Sequence, residues 1–102
     1  NTMRAMVLEQ VYREYRDRGV EFVGVAIWDE GDAVARFTRR VGTTYPIALD
    51  DRGLAAVEYG VRGIPEKFFV TPDGTLVRKF IGPMNAPTLR SVLEELLAGA
   101  GA

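Results

Sequence analysis

The side chains that could carry chemistry lie at the end of one loop, residues 60–65, and just beyond one apolar segment, residues 20–27. Glu66 follows the loop's Pro65, and its carboxylate could tune proton transfer if partly buried, or be a solvated charge at a strand edge. Trp28 follows the apolar segment and could line a groove or be a core or rim aromatic. The sequence has no Cys and no His, which excludes a thiol nucleophile, a disulfide, an imidazole base and the usual zinc sites within these residues.

Composition narrows the classes of partner. The 102 residues carry 13 Lys plus Arg and 14 Asp plus Glu, a formal net charge of −1, so no charge excess indicates nucleic acid or an anionic membrane surface. The apolar run 20–27 is far shorter than the roughly 20 residues that span a bilayer. With 47% hydrophobic residues, the length suits one globular domain.

The first half of the chain has the pattern of alternating helices and strands. Apolar residues spaced i, i+3, i+4 and i+7 predict an amphipathic first helix. The predicted elements are a helix at 3–18, a parallel strand at 20–27 buried on both faces, a helix capped by Asp32 and ended by Gly42, and a short strand at 45–50. A strand-helix-strand order implies a parallel pair joined by a right-handed crossover.

The second half predicts a hairpin and a last helix. Asp73-Gly74 between the β-rich runs 67–71 and 76–81 is a strong hairpin signal, and Asn85 can cap the helix that follows. A short helix is also predicted near 54–57. The predicted fold is α/β, a single domain over 1–102 with a mixed central sheet and helices on both faces. A strand before the first helix is missing from this pattern.

Three separated motifs in the second half point to a known family. They are Tyr59-Gly60-Val61-Arg62-Gly63-Ile64-Pro65-Glu66-Lys67-Phe68-Phe69-Val70, then Pro72-Asp73-Gly74, then Phe80-Ile81-Gly82-Pro83-Met84. Together they resemble the extracytoplasmic thioredoxin-like proteins of the TlpA, ResA and CcmG (DsbE) group. The similarity extends from about Leu8 to Leu97, and the resemblance implies a thioredoxin-like fold.

The resemblance also implies a substrate-binding groove. In that family the proline at the position of Pro65 is in the cis form and faces the redox motif. By resemblance, Ile64 would pair with the backbone of an extended substrate and Pro65 would shape the groove, with Gly63 in the same segment. Trp28 is a candidate groove residue because it directly follows the central strand, at the functional edge of such a sheet. Glu66 would tune proton transfer or partner choice. Without the surrounding motif, a Gly-x-Pro sequence predicts a simple turn.

The family's redox motif is where this sequence departs from the pattern. The motif is Trp-Cys-x-x-Cys followed by a basic residue and then Glu and Pro. Here Met3 falls on the second Cys position, and the Glu and Pro expected around Met6 are absent. The sequence could be a truncated or incompletely recorded form, an engineered variant or a natural redox-inactive relative. We favour the first, because the missing strand and the missing motif fall at the same end.

The resemblance therefore implies a thiol-disulfide oxidoreductase of the cytochrome c maturation type, located in the periplasm or another extracytoplasmic space. It leaves open whether a longer protein is anchored to the membrane. The substrate would be a protein disulfide, as in apocytochrome c, with a membrane thiol reductant as electron donor and no cofactor, metal or nucleic acid. These 102 residues alone are predicted to be inactive. Two alternatives remain open: a non-catalytic peptide-binding module and a peroxiredoxin-like peroxidase.

Overall fold

The computed structural model describes residues 2–27, 31–50 and 66–100. Its elements are α1 (Thr2–Tyr15), a 3-10 turn (Arg16–Arg18), β1 (Gly24–Ile27), α2 (Gly31–Val41), β2 (Ile47–Asp50), β3 (Glu66–Val70), β4 (Leu76–Ile81) and α3 (Ala86–Ala100). The chain divides into two compact units, residues 1–60 and 61–102, which are described separately.

Helix α1 supplies the core of the first unit. Val11 is 0% and Tyr15 5% exposed, so the predicted apolar face is buried. Gly19 ends the following 3-10 turn with a φ of 82°, a left-handed conformation that glycine adopts without strain. The helix predicted over 3–18 is thus confirmed, with its last residues in the tighter 3-10 form.

Strands β1 and β2 of the first unit form a parallel pair, as predicted, with Gly24 opposite Ile47 and Ile27 opposite Asp50. Gly24 permits a close approach of the two strands: a Cβ there would lie 3.2 Å from Ile47 Cγ1, so the Ile47 side chain would have to shift by a few tenths of an ångström. The strand predicted over 20–27 is wrong in extent and burial: it begins at Gly24, and Val25 is 50% exposed. An apolar run does not show how many of its residues will pair with a neighbouring strand. Here the partner strand β2 is only four residues long.

The second unit opens with the predicted antiparallel hairpin of β3 and β4. Gly74, with a φ of 90°, occupies the tight turn. The pairing runs from Glu66 opposite Ile81 to Phe69 opposite Arg78, and then shifts by one residue at a bulge so that Val70 faces Leu76. Cross-strand partners share a face, so Glu66, Phe68 and Lys79 lie on one face of the hairpin.

Helix α3 completes the core of the second unit. Asn85 caps it as predicted: its Oδ1 accepts a hydrogen bond of 2.9 Å from the Thr88 N–H. The buried apolar side chains of this unit are Phe69, Met84, Leu89, Val92 and Leu93. Because Arg78 pairs with Glu95 of α3, the face of the hairpin that carries Phe69 and Arg78 is the one turned toward the helix.

The mixed α/β character predicted from the sequence is confirmed. Within residues 2–27, 31–50 and 66–100, however, the strands form two two-stranded sheets, one parallel and one antiparallel. The short helix predicted near 54–57 lies outside the described residues. No helix among the residues described is long and apolar enough to cross a membrane.

Candidate functional site

Glu66 is the predicted site residue that the structure describes, and it lies at the first position of β3. Its side chain is 2% exposed, and its Oε1 lies 3.2 Å from the Lys79 Nζ on β4. The contact is Coulombic rather than a regular hydrogen bond. The proposal of a solvated strand-edge charge is therefore wrong, because this carboxylate has been withdrawn from water and given a counter-charge.

Aromatic packing restrains the lysine of this pair. The Lys79 Nζ lies 5.5 Å from the centroid of the Phe68 ring, a cation-π distance. Phe68 lies on the same face of the hairpin as both charged residues and is directly opposite Lys79. On the other face of the hairpin, the Lys67 Nζ donates a 3.4 Å hydrogen bond to the carbonyl of Gly82, which connects the start of β3 to the segment after β4.

The other predicted groove residues lie outside the described residues: Trp28, Gly63, Ile64 and Pro65. Met3, which falls on the family's second Cys position, lies in the second residue of α1 with its side chain 77% exposed. A thioether neither ionises nor forms a disulfide, so Met3 cannot perform the chemistry of a thiolate there.

A second buried carboxylate, Glu9, lies in the first unit. Its Oε1 accepts a 2.7 Å hydrogen bond from the Thr44 N–H, and its Oε2 accepts 2.6 Å bonds from the Thr44 hydroxyl and from Arg13 Nε. Arg13 in turn donates a 3.4 Å bond to the carbonyl of Gly42. This network joins α1 to the loop between α2 and β2, which is 35 residues away along the chain.

The charge of Glu9 follows from this arrangement. Burial by itself would raise the pKa of the Glu9 carboxyl, but the hydrogen bonds from Thr44 and Arg13 outweigh it and hold the pKa below its ordinary value of 4.5. Burial, and then the negative charge of Glu9, raises the pKa of the nearby Tyr45. Tyr45 packs against Tyr12 and Phe22 with ring centroids 5.5 and 5.6 Å apart, so Glu9 borders an aromatic cluster.

An open groove of about 660 Å³ lies along α1 in the first unit. Its apolar lining is Met3, Met6, Val7 and Val41, and Glu9, Gln10, Arg13 and Glu14 supply its polar lining. Among the residues that the structure describes, no group of three or more acidic residues is placed to hold a metal ion.

Sequence reasoning missed Lys79 and Glu9. Lys79 could not have been found from the turn alone, because a register continued from Val70 and Leu76 would bring Arg78 to the face of Glu66, and the bulge brings Lys79 there instead. Glu9 could not have been found either, since its main partner Thr44 is distant in sequence and is brought near only by the packing of α1 on the second half of the unit.

The sequence matches one family model and several named proteins. Residues 2–79 match the model of the AhpC/TSA family. The chain belongs to the AhpC/TSA family. It is 35% identical over 79 residues to the thiol:disulfide interchange protein CycY of Rhizobium leguminosarum bv. viciae, a match that covers 76% of this chain and 42% of CycY. It is 31% identical over 88 residues to the thiol-disulfide oxidoreductase ResA of Halalkalibacterium halodurans, covering 85% of this chain and 49% of ResA.

Two solved structures of similar proteins superimpose on this chain. MTB DsbF, described in mixed oxidized and reduced forms, superimposes with a TM-score of 0.82 at 28% identity, covering 93% of this chain and 69% of DsbF. StoA from Bacillus subtilis superimposes with a TM-score of 0.76 at 26% identity, covering 87% and 69%. The predicted resemblance and thioredoxin-like fold are confirmed. The chain spans about half the length of the curated relatives it matches.

Proposed function

We propose that this AhpC/TSA-family chain forms the substrate-binding part of a thiol-disulfide oxidoreductase that reduces disulfides in exported proteins, of the kind that matures c-type cytochromes. The observation that carries the proposal is the buried, ion-paired Glu66 at the start of β3. A buried, ion-paired carboxylate directly after the Gly-x-Pro sequence supports a role for Glu66 in binding at that segment. Similarity to proteins named thiol-disulfide oxidoreductases supports the same reading.

In this proposal the groove that holds the substrate is formed by Gly63, Ile64 and Pro65, with Glu66 at its margin. Trp28 is a further candidate for contact with the substrate. Pro65 has no N–H, so the backbone of Ile64 is the natural partner for an extended peptide, which it would bind as one strand binds another. The residues over 1–102 then act as a single thioredoxin-like domain.

The redox step requires two cysteines from outside these residues, because the sequence contains none. One thiolate attacks a substrate disulfide and forms a mixed disulfide, releasing one substrate thiolate. The second cysteine then attacks the mixed disulfide and releases the other, so the substrate is reduced by two electrons and the enzyme is left oxidised. A membrane thiol reductant restores the enzyme dithiol. No cofactor or metal takes part.

The proposed substrate is apocytochrome c or another exported protein, and the proposed location is the periplasm or another extracytoplasmic space. Structural disulfides persist in such oxidising compartments, where a dedicated reductant is needed to open them. A similar fold occurs in a Mycobacterium tuberculosis disulfide oxidoreductase described as secreted, with a TM-score of 0.73.

The absence of cysteine from all 102 residues favours a second candidate, a peptide-binding module that uses the same groove without electron transfer. The coding sequence before Asn1 discriminates the candidates. A Trp-Cys-x-x-Cys segment supports the oxidoreductase, a lone Cys supports a peroxiredoxin-like peroxidase, and no Cys supports the binding module.

Insulin-disulfide reduction tests the activity itself. We expect the 102-residue chain to leave insulin unreduced and the whole gene product to reduce it. Reduction by the chain alone would refute its predicted inactivity. A whole gene product that contains Cys-x-x-Cys but does not reduce insulin would refute the oxidoreductase proposal.

A further inference from the structure

Lys79 contacts the carboxylate of Glu66, a residue of the proposed site. Its Nζ lies 3.2 Å from the Glu66 carboxylate, and the two residues are diagonal neighbours on one face of the β3–β4 hairpin. Glu66 directly follows Pro65 in the chain. The Lys79 ammonium is thus bound to the carboxylate that adjoins the proposed peptide-binding segment.

The two partners differ in their access to water. The Glu66 side chain is 2% exposed, whereas the Lys79 side chain is 30% exposed. Burying a charged carboxylate this completely is costly unless a cation compensates it, and Lys79 supplies such a cation. The lysine retains part of its hydration and so serves as the counter-charge at a smaller desolvation cost.

The lysine is itself held in one direction. Its side chain crosses the Phe68 ring, which stands directly opposite it on β3, and its Nζ is 5.5 Å from the ring centroid. This contact with the ring restricts the flexible lysine side chain and so limits where its ammonium group can lie. The ammonium group lies at the start of β3, beside Glu66.

We propose that Lys79 is a positioning residue, which fixes the Glu66 carboxylate beside the peptide-binding segment and thereby sets the affinity for substrate peptide. The inference rests on the proposed function, since it assumes that an extended peptide binds next to Glu66. Arg78 provides the contrast: it is the neighbouring cation, but it lies on the other face of the hairpin and pairs with Glu95.

The test measures peptide affinity by calorimetry with the 102-residue chain. The probe is a synthetic peptide containing Ser-x-x-Ser-His, the redox-silent analogue of the Cys-x-x-Cys-His haem-attachment segment. We expect Lys79→Met to weaken binding about tenfold, because the buried Glu66 carboxylate loses the cation that orients it. Lys79→Arg should bind within about twofold of the wild type, because it restores the cation. Arg78→Met is the matched control and should bind as the wild type does.

A double-mutant cycle separates positioning from general damage. In a Glu66→Gln background, Lys79→Met should cause no further loss of affinity, because the carboxylate it positions is gone. Circular dichroism of each variant confirms that it is folded. Equal affinity in Lys79→Met and wild type, or an undiminished loss in the Glu66→Gln background, would overturn the role of Lys79 and leave the proposed groove intact. A wild-type chain that binds no peptide would overturn both.

Discussion

The two units each contain a buried carboxylate, and the two are held in different ways. Glu9 accepts hydrogen bonds from a backbone N–H, a hydroxyl and a guanidinium, so both of its oxygens are engaged by regular hydrogen bonds. Glu66 is held at 3.2 Å by an ammonium that water can reach. A carboxylate whose oxygens are engaged in this way holds helices and loops together. The Glu66–Lys79 contact instead joins two adjacent strands of one hairpin and is not a regular hydrogen bond.

The largest expected effect comes from breaking the Glu9 network. Glu9→Ala leaves the Thr44 N–H and hydroxyl without their acceptor, and we expect it to lower the free energy of unfolding by about 3 kcal/mol. Urea denaturation measures the loss. Gln10→Ala, at the exposed neighbouring position, is the control and should change stability by less than about 0.5 kcal/mol. A comparable loss in both variants would show that the network contributes little.

Lowering the pH should weaken the stabilising contribution of the same Glu9 network. The folded pKa of Glu9 is below its ordinary value of 4.5, so its contribution is fully present above about pH 5 and is lost as the pH falls through 4.5 toward the folded pKa. The stability difference between wild type and Glu9→Gln should therefore narrow on acidification. Urea titrations at a series of pH values measure it, and a constant difference would contradict the lowered pKa.

A smaller effect is expected at the cap of α3, in the unit that contains Glu66. Asn85→Ala removes the acceptor of the Thr88 N–H and should cost about 1 kcal/mol of unfolding free energy. Asn85→Asp keeps an acceptor and should retain most of that stability. Thermal unfolding of both variants tests this, and equal losses would show that the cap hydrogen bond is not the cause.

The smallest effect is expected at Arg78. Its pair with Glu95 is 3.6 Å long, and the two side chains are 46% and 70% exposed, so water and salt screen it. Arg78→Met should change the unfolding free energy by no more than about 0.5 kcal/mol. Urea denaturation at low and high salt measures this change. A loss as large as that of Glu9→Ala would show that exposure does not separate these ion pairs.

The two regions also differ in how far sequence alone predicts them. The hairpin and α3 were predicted correctly because Asp73-Gly74 and Asn85 act on their immediate neighbours. Strand β1 was predicted too long and too buried, since apolar character does not show how many residues find a partner strand. The Glu9 network depends on contacts between distant segments, which no local pattern reveals.

The candidate site divides in the same way. Glu66 was identified from the motif around it, but whether it was solvated or buried depended on the fold, and the sequence left both open. Lys79 follows from the observed register, which includes the bulge between Phe69 and Val70 that the turn sequence does not predict. The groove residues Gly63, Ile64 and Pro65, together with Trp28, remain predictions.

The bulge between Phe69 and Val70 determines which basic residue of β4 lies on the face of Glu66. With the observed one-residue shift, Lys79 shares a face with Glu66 and Arg78 lies on the other. Without it, a uniform register continued from Val70 and Leu76 would place Arg78 opposite Phe68 and bring it to the face of Glu66. Insertions and deletions in the 71–75 turn therefore affect more than loop length. They decide which of two adjacent basic residues reaches the buried acid, and so whether a related sequence keeps a lysine or an arginine there.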